Sequence, residues 1–226
     1  MDEPEVEEVI RRITQVCTTE EICEFLIIYS KKSSDDYLKF LQTLNNMFEG
    51  YIVRCLTEQY PGVGGALYTG FQNASGSHVV TIASDLENDP YDVRTMIDLS
   101  KENPDHIITA SRQLRKSDFG DYPKIKKLFN NGFRLFLKIF LHVHQTDPTY
   151  LFQCTPKNVF LSHNFSLNRD AFVLEMALIP ETENIPFTEF PSEITMRKNG
   201  ESHSSFKYYF HFLKYAVSTI SNKVIK

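Results

Sequence analysis

Apolar residues recur along the first half of the chain in two alternating rhythms. Residues 5–16 carry Val6, Val9, Ile10, Ile13 and Val16 at helical spacing, behind Pro4 and a group of acids that suit a helix N-terminus. Residues 24–30, Glu-Phe-Leu-Ile-Ile-Tyr-Ser, predict a short apolar strand. The cluster Ser33-Ser34-Asp35-Asp36 predicts an N-cap for a helix over 37–48, and 51–57 predicts a second strand. A helix from residue 65 leads to a strand over 78–84, and a helix over 93–101 leads to a strand over 106–110. Strands and helices alternating at these lengths imply a mostly parallel sheet with helices on both faces.

The second half changes character. Residues 123–142 predict one long helix with Phe129, Phe133, Phe136, Leu137 and Phe140 on its apolar side. Residues 151–161 read as strand and turn, 170–179 as a helix, 187–196 as a strand, and 206–224 as an amphipathic helix. No internal repeat or low-complexity linker interrupts the pattern, so 1–226 is expected to form one domain, with 206–226 as its C-terminal helix.

Composition narrows the function classes. A chain of 226 residues, 42% of them hydrophobic, can bury one sizeable core. The net charge of −5 argues against a nucleic-acid partner, which calls for a basic field. Lys124, Lys126 and Lys127 then read as a solvated helix face. Cys17, Cys23, Cys55 and Cys154 lack metal-ligand spacing and read as reduced thiols of a cytosolic protein, where the Asn73 and Asn164 sequons carry no meaning. No stretch approaches the ~20 apolar residues of a membrane span, so membrane contact is expected to be peripheral. His142 and His144 read as a helix end without further ligands. Gly62 to Gly65 lack the Gly-x-Gly-x-x-Gly order of a dinucleotide site.

The chemistry concentrates after Val79-Val80, in Thr-Ile-Ala-Ser-Asp-Leu-Glu-Asn-Asp-Pro over 81–90. A strand ending in acids and a proline turn presents carboxylates at the carboxyl edge of an α/β sheet, where ligands bind. Asp85, with Glu87 and Asp89 downstream, can hold a hard divalent cation there; equally, Asp85 can cap the next turn. Before that strand, Gly62-Val-Gly-Gly-Ala66 opens a helix. Downstream stand Ser111-Arg112, the segment Asp147-Pro-Thr-Tyr-Leu-Phe-Gln153, and Arg197-Lys-Asn-Gly200-Glu-Ser202-His203. Arginine offers a forked donor set for phosphate, and glycine lets backbone approach it.

That order resembles the family-2 glycosyltransferases of the GT-A fold, particularly the dolichyl-phosphate mannose synthase and polyprenyl-phosphate glycosyltransferase branch. The resemblance implies a three-layer α/β sandwich and a metal-dependent transfer of a sugar from a UDP- or GDP-sugar to a lipid-phosphate or glycan acceptor. By position it implies that Asp85 holds Mg or Mn, that Asp147 is the catalytic base or a metal neighbour, and that Arg197, Gly200 and Ser202 form a lid on the diphosphate. Asp35 and Gly64 fall in the nucleotide segments, Ser111 and Arg112 on the acceptor side, and Glu175 where a helix acid is common. Several positions depart from the family. Ala83 replaces the first acid of Asp-x-Asp, Ser30-Lys31 replaces a leading acid pair, Leu151 and Gln153 replace Gly and Arg, and His203 replaces Lys. The family's opening strand has no match before Asp2-Glu3, so that strand is expected to be missing, through a misassigned start or a lineage without it. The departures keep a second reading open, a catalytically impaired GT-A domain acting as a binding or scaffolding subunit. Residues 206–224 suit docking on the domain itself or on a second copy, or a membrane surface at its cytoplasmic face.

Overall fold

The computed structural model describes residues 3–115, 132, 134–139, 143–148, 150–163, 165, 172, 175, 176, 178 and 183–193. Within them run α1 (Glu3–Val16), β1 (Phe25–Tyr29), α2 (Asp35–Met47), β2 (Val53–Thr57), α3 (Val63–Asn73), β3 (His78–Thr81), α4 (Asp92–Glu102), β4 (Ile107–Ser111), β5 (Gln153–Pro156), α5 (Lys157–Leu161) and β6 (Phe187–Pro191). Residues 132, 134–139, 172, 175, 176 and 178 are helical, within the two helices expected there. The expected helix over 206–224 lies outside the described residues.

The strands fall into two sheets. Strands β1 and β2 pair in parallel, Phe25 opposite Val53 and Tyr29 opposite Thr57. The other sheet runs β3-β5-β4-β6, with β5 antiparallel to both neighbours and β6 parallel to β4. The expectation of a mostly parallel sheet therefore holds except at β5. Residues 153–156 enter the sheet between β3 and β4 from the opposite direction. Among the described residues no strand precedes α1, and β1 and β3 each pair on one edge only. All of β4 and β5 is buried, whereas the apolar β1 residues are only half-buried along their length.

Helix α1 packs against both sheets. Val6 and Ile10 of α1 pack with Tyr37, Leu41, Leu44 and Phe48 of α2 and its C-terminal cap, and with Val53 of β2. Val9 and Ile13, about a sixth of a turn round, pack with Val93 and Met96 of α4 and Ile108 and Ala110 of β4. The spacing 6, 9, 10, 13 thus makes an apolar stripe wide enough for two clusters. On the opposite face, Phe71 of α3 stacks on Phe160 of α5 at 3.7 Å with Phe172 and Met176 alongside.

Two local devices set these elements. Ser34 accepts from the Tyr37 amide at 3.2 Å, capping α2 as its sequence predicts. Gly62, at φ 91°, turns the chain into α3, and a Cβ on Gly65 would stand 1.8 Å from the Tyr60 carbonyl oxygen. Only glycine admits that approach. Gly64 packs against the Phe172 ring in the same way, so its place in the structure is helix packing.

Candidate functional site

Four of the predicted residues collect beyond the carboxyl ends of β3 and β4. Strand β3 ends at Thr81, three residues short of its expected limit, because the chain then curls into consecutive side-chain-capped turns. Asn88 Oδ1 accepts from the Ala83 amide at 2.8 Å, Asp85 Oδ1 from the Glu87 amide at 3.1 Å, and Asp89 Oδ1 from the Tyr91 amide at 3.1 Å. Leu86 between them takes a left-handed φ of 58°. The turn-capping role open to Asp85 is therefore present. Among the described residues, no three His, Cys, Asp or Glu side chains gather as a metal cluster. This donor set fits a divalent cation only where ligand phosphates and water complete the shell.

Ser111 ends β4, and with Arg112, the next residue, it meets Thr146 and Asp147. Arg112 donates to Asp147 through Nε to Oδ2 at 2.6 Å, through its second guanidinium nitrogen to Oδ1 at 2.8 Å, and from its backbone amide to Oδ2 at 3.2 Å. Asp147 is 2% exposed. A forked, buried pair of this kind holds a guanidinium in one orientation. Its aim is further set by Tyr150, whose ring centre lies 4.6 Å from the Arg112 guanidinium carbon. The Tyr150 hydroxyl lies beside Asn88 and Ser192, so the aromatic side chain links the Asp85 turn to the arginine. Burial raises the Tyr150 hydroxyl above its ordinary range, with Asn88, Ser192 and Arg112 acting in the opposite direction.

Behind this pair stands a carboxylate that no motif marks. Glu189, in register with Thr109 across β4 and β6, accepts from the Thr146 amide at 2.9 and 3.1 Å and from the Thr146 hydroxyl at 2.8 Å. Burial raises its carboxyl above the usual range, which those donors partly offset. The Thr146 hydroxyl gives its proton to Glu189, so Ser111 Oγ is the donor in the 2.5 Å contact to Thr146 Oγ1. Asp92 at the start of α4 is likewise raised by burial, and its Oδ2 and the Tyr150 hydroxyl are buried without a hydrogen-bond partner among the described residues. Such atoms are available to a bound hydroxyl or water.

Other predicted residues lie apart or outside. Asp35 is exposed in the first turn of α2, beyond β1. There Ser30 Oγ donates to Glu58 at 2.7 Å and the Gly62 amide donates to the same carboxylate at 3.1 Å. Glu175 is helical and partly buried. Arg197, Gly200, Ser202 and His203 lie outside the described residues, as do Lys124, Lys126, Lys127 and His142. Sequence reasoning passed over Glu189, Tyr150 and Asp92. The available signal for Glu189 was a single acid inside the apolar strand Phe-Thr-Glu-Phe.

Comparison with known proteins defines the class. Residues 2–172 match the model of glycosyl transferase family 2, and the chain belongs to that family. Among individual proteins, it is 24% identical over 192 residues to the dolichol-phosphate mannosyltransferase of Pyrococcus furiosus, covering 84% of this chain and 53% of that one. It is 25% identical over 118 residues to an undecaprenyl-phosphate 4-deoxy-4-formamido-L-arabinose transferase of Proteus mirabilis, covering 52% and 36%. The chain thus spans about half or less of these two relatives. In structure it resembles glucosyl-3-phosphoglycerate synthase from Mycobacterium tuberculosis, in complex with Mn2+, UDP-glucose and phosphoglyceric acid. The TM-score is 0.71 at 15% identity, over 97% of this chain and 76% of that one. The fold is therefore the GT-A-type α/β sandwich.

Proposed function

We propose that this chain is the transferase domain that moves a hexose-type sugar from a UDP- or GDP-sugar to a lipid-phosphate acceptor. The observation that carries the reading is the forked Arg112–Asp147 pair, held over Tyr150 beside the Asp85 turn at the ligand-binding edge of a family-2 domain. The polyprenyl-phosphate relatives and the Mn2+ and UDP-glucose of the structural neighbour point the same way.

The choice of acceptor follows from proton bookkeeping. A sugar hydroxyl needs a base as it attacks, and Asp147 is the candidate by position. Both Asp147 oxygens, however, already accept from Arg112. A phosphate acceptor arrives ionised and needs no base; it needs a cation, which Arg112 supplies in a fixed orientation. With a phosphate acceptor Asp147 keeps Arg112 aimed, and with a hydroxyl acceptor it takes the proton. Asp85 would hold Mg2+ or Mn2+ together with the donor diphosphate, and the metal would neutralise charge on the departing nucleotide. In this reading Ser30, Asp35 and Glu58 serve the nucleoside end, and Arg197, Gly200 and Ser202 would bind the phosphates. Membrane approach through residues 206–226, at the cytoplasmic face, and pairing of two copies belong to the same reading. Among the described residues no helix is long and apolar enough to cross a membrane.

Thermal unfolding with UDP, GDP, UDP-glucose and GDP-mannose, each with and without Mn2+, tests this. Ligand at a hundred times its dissociation constant adds about 2.7 kcal/mol, a rise of about 5–10 °C for a domain of this size. The expected result is a metal-dependent rise with one nucleotide that Asp85→Asn removes. The second reading, a binding subunit without catalysis, draws on Ala83 and on the engagement of Asp85 in its own turn. A folded chain that no nucleotide shifts would favour it.

A further inference from the structure

We infer that Glu189 is the positioning residue of this site, fixing the Thr146–Asp147 segment so that Asp147 meets Arg112 in forked register. The argument rests on which backbone each side chain holds. Residues 143–148 have no strand partner among the described residues, so no ladder of backbone bonds sets their register. Glu189 takes that part. Strand pairing with Ile107–Ser111 places it two residues before the Ser111–Pro191 pair, and its carboxylate grips Thr146 through amide and hydroxyl together. The Asp147 amide faces the same carboxylate. Ser111 is buried and completes the clamp by donating to Thr146 Oγ1, while the Ser192 amide donates to the Ser111 carbonyl at 3.1 Å.

The last residue of β4 and the residue after it are thereby locked to two adjacent residues of the 143–148 segment. Ser111 holds Thr146, and Arg112 holds Asp147. The serine contact depends on the direction of the Thr146 hydroxyl, which the glutamate sets. A glutamine at 189 can accept at one oxygen only and brings an amide donor towards the Thr146 N–H. The Thr146 amide then loses an acceptor, and the Asp147 carboxylate loses its fixed origin. The Glu189 clamp acts on Thr146, Asp147 and Ser111, so the effect is directed first at the arginine and the acceptor it serves. The assignment of Glu189 as positioner rests on geometry alone; only the consequence for acceptor use rests on the proposed function.

The test pairs a readout of Arg112 with a readout of transfer. In 15N-labelled protein the Arg112 Nε–H signal, identified by its loss in Arg112→Lys, is expected to exchange slowly with water because the Asp147 fork holds it. In Glu189→Gln that exchange speeds by about tenfold or more, the scale of one hydrogen bond to a charged group. With farnesyl phosphate as acceptor, the same variant raises the acceptor KM by about tenfold while kcat and the nucleotide-induced melting shift stay within about twofold. Wild-type exchange at Arg112 in a folded Glu189→Gln protein overturns the inference, as does equal loss of nucleotide binding. Faster exchange in the variant, with wild-type protein inert towards farnesyl phosphate, upholds the positioning role and removes the proposed acceptor. Should Glu189→Gln not fold, Thr146→Val decides: it keeps the backbone donor and deletes the hydroxyl. Faster Arg112 exchange in it supports the clamp, and unchanged exchange overturns it.

Discussion

Replacing Asp147 with asparagine keeps the shape of the side chain and removes its charge, which isolates the worth of the pair with Arg112. The Asp147 side chain is 1% exposed and that of Arg112 is 18% exposed. Breaking a buried ion pair by removing one partner costs about 3–5 kcal/mol, because the remaining charge is left uncompensated. Here the lower end applies, about 3 kcal/mol, since Arg112 keeps some solvent contact and the Tyr150 ring face. With a urea slope of about 2 kcal/mol per molar, the unfolding midpoint of Asp147→Asn falls by about 1.5 M. Arg112→Met, and the double variant, complete a cycle whose coupling is expected at about 2 kcal/mol, above the 0.2–1 kcal/mol of exposed pairs. Equilibrium urea unfolding followed by far-ultraviolet circular dichroism measures all four proteins. A coupling below about 0.5 kcal/mol would show that solvent screens the pair, and the case for a rigidly aimed arginine would fall with it.

Two further outcomes follow from the packing and the charges. Phe71→Ala removes a fully buried ring stacked on Phe160, so stability drops by about 3–5 kcal/mol in the same assay, and a loss under 1 kcal/mol would mean the aromatic cluster collapses around the gap. The Arg94 and Lys101 side chains hold the Glu21 carboxyl well below the usual range. Its contribution is present above the unfolded carboxyl value of about 4.3 and is lost as pH falls through that window towards the depressed native value. Glu21→Gln should flatten the acid limb of the urea midpoint against pH, and an unchanged limb would assign acid loss to other carboxylates.

Much of the first half was legible because each element carries its own signal. The stripe of α1, the Ser34 cap and the glycines before α3 are local features, and the structure places each close to where its residues put it. Strand direction is not local. Nothing in Gln-Cys-Thr-Pro announces that β5 enters antiparallel between β3 and β4, since side-chain alternation is the same either way. The site shows the same division. Ser111, Arg112 and Asp147 each stood out singly, but their pairing spans 35 residues and is set by the sheet. Asp85 was legible as a turn residue or a ligand, and the structure shows its turn bond. Glu189 was missed because a carboxylate on a buried strand gains meaning only from the segment it holds.

The division of the strands into two sheets has a mechanical consequence. Among the described residues, β1–β2 and the β3–β6 sheet share no strand-to-strand hydrogen bonds, and side-chain packing, with α1 and Phe25 in both clusters, ties them. Side-chain packing tolerates small sliding where a backbone ladder does not. The two parts are thus poised to open as separate cooperative units, detectable as two classes of amide exchange. A ligand with one end at Ser30 and Glu58 and the other at Arg112 would span that seam. Its binding would then couple the two sheets, merging two exchange classes into one.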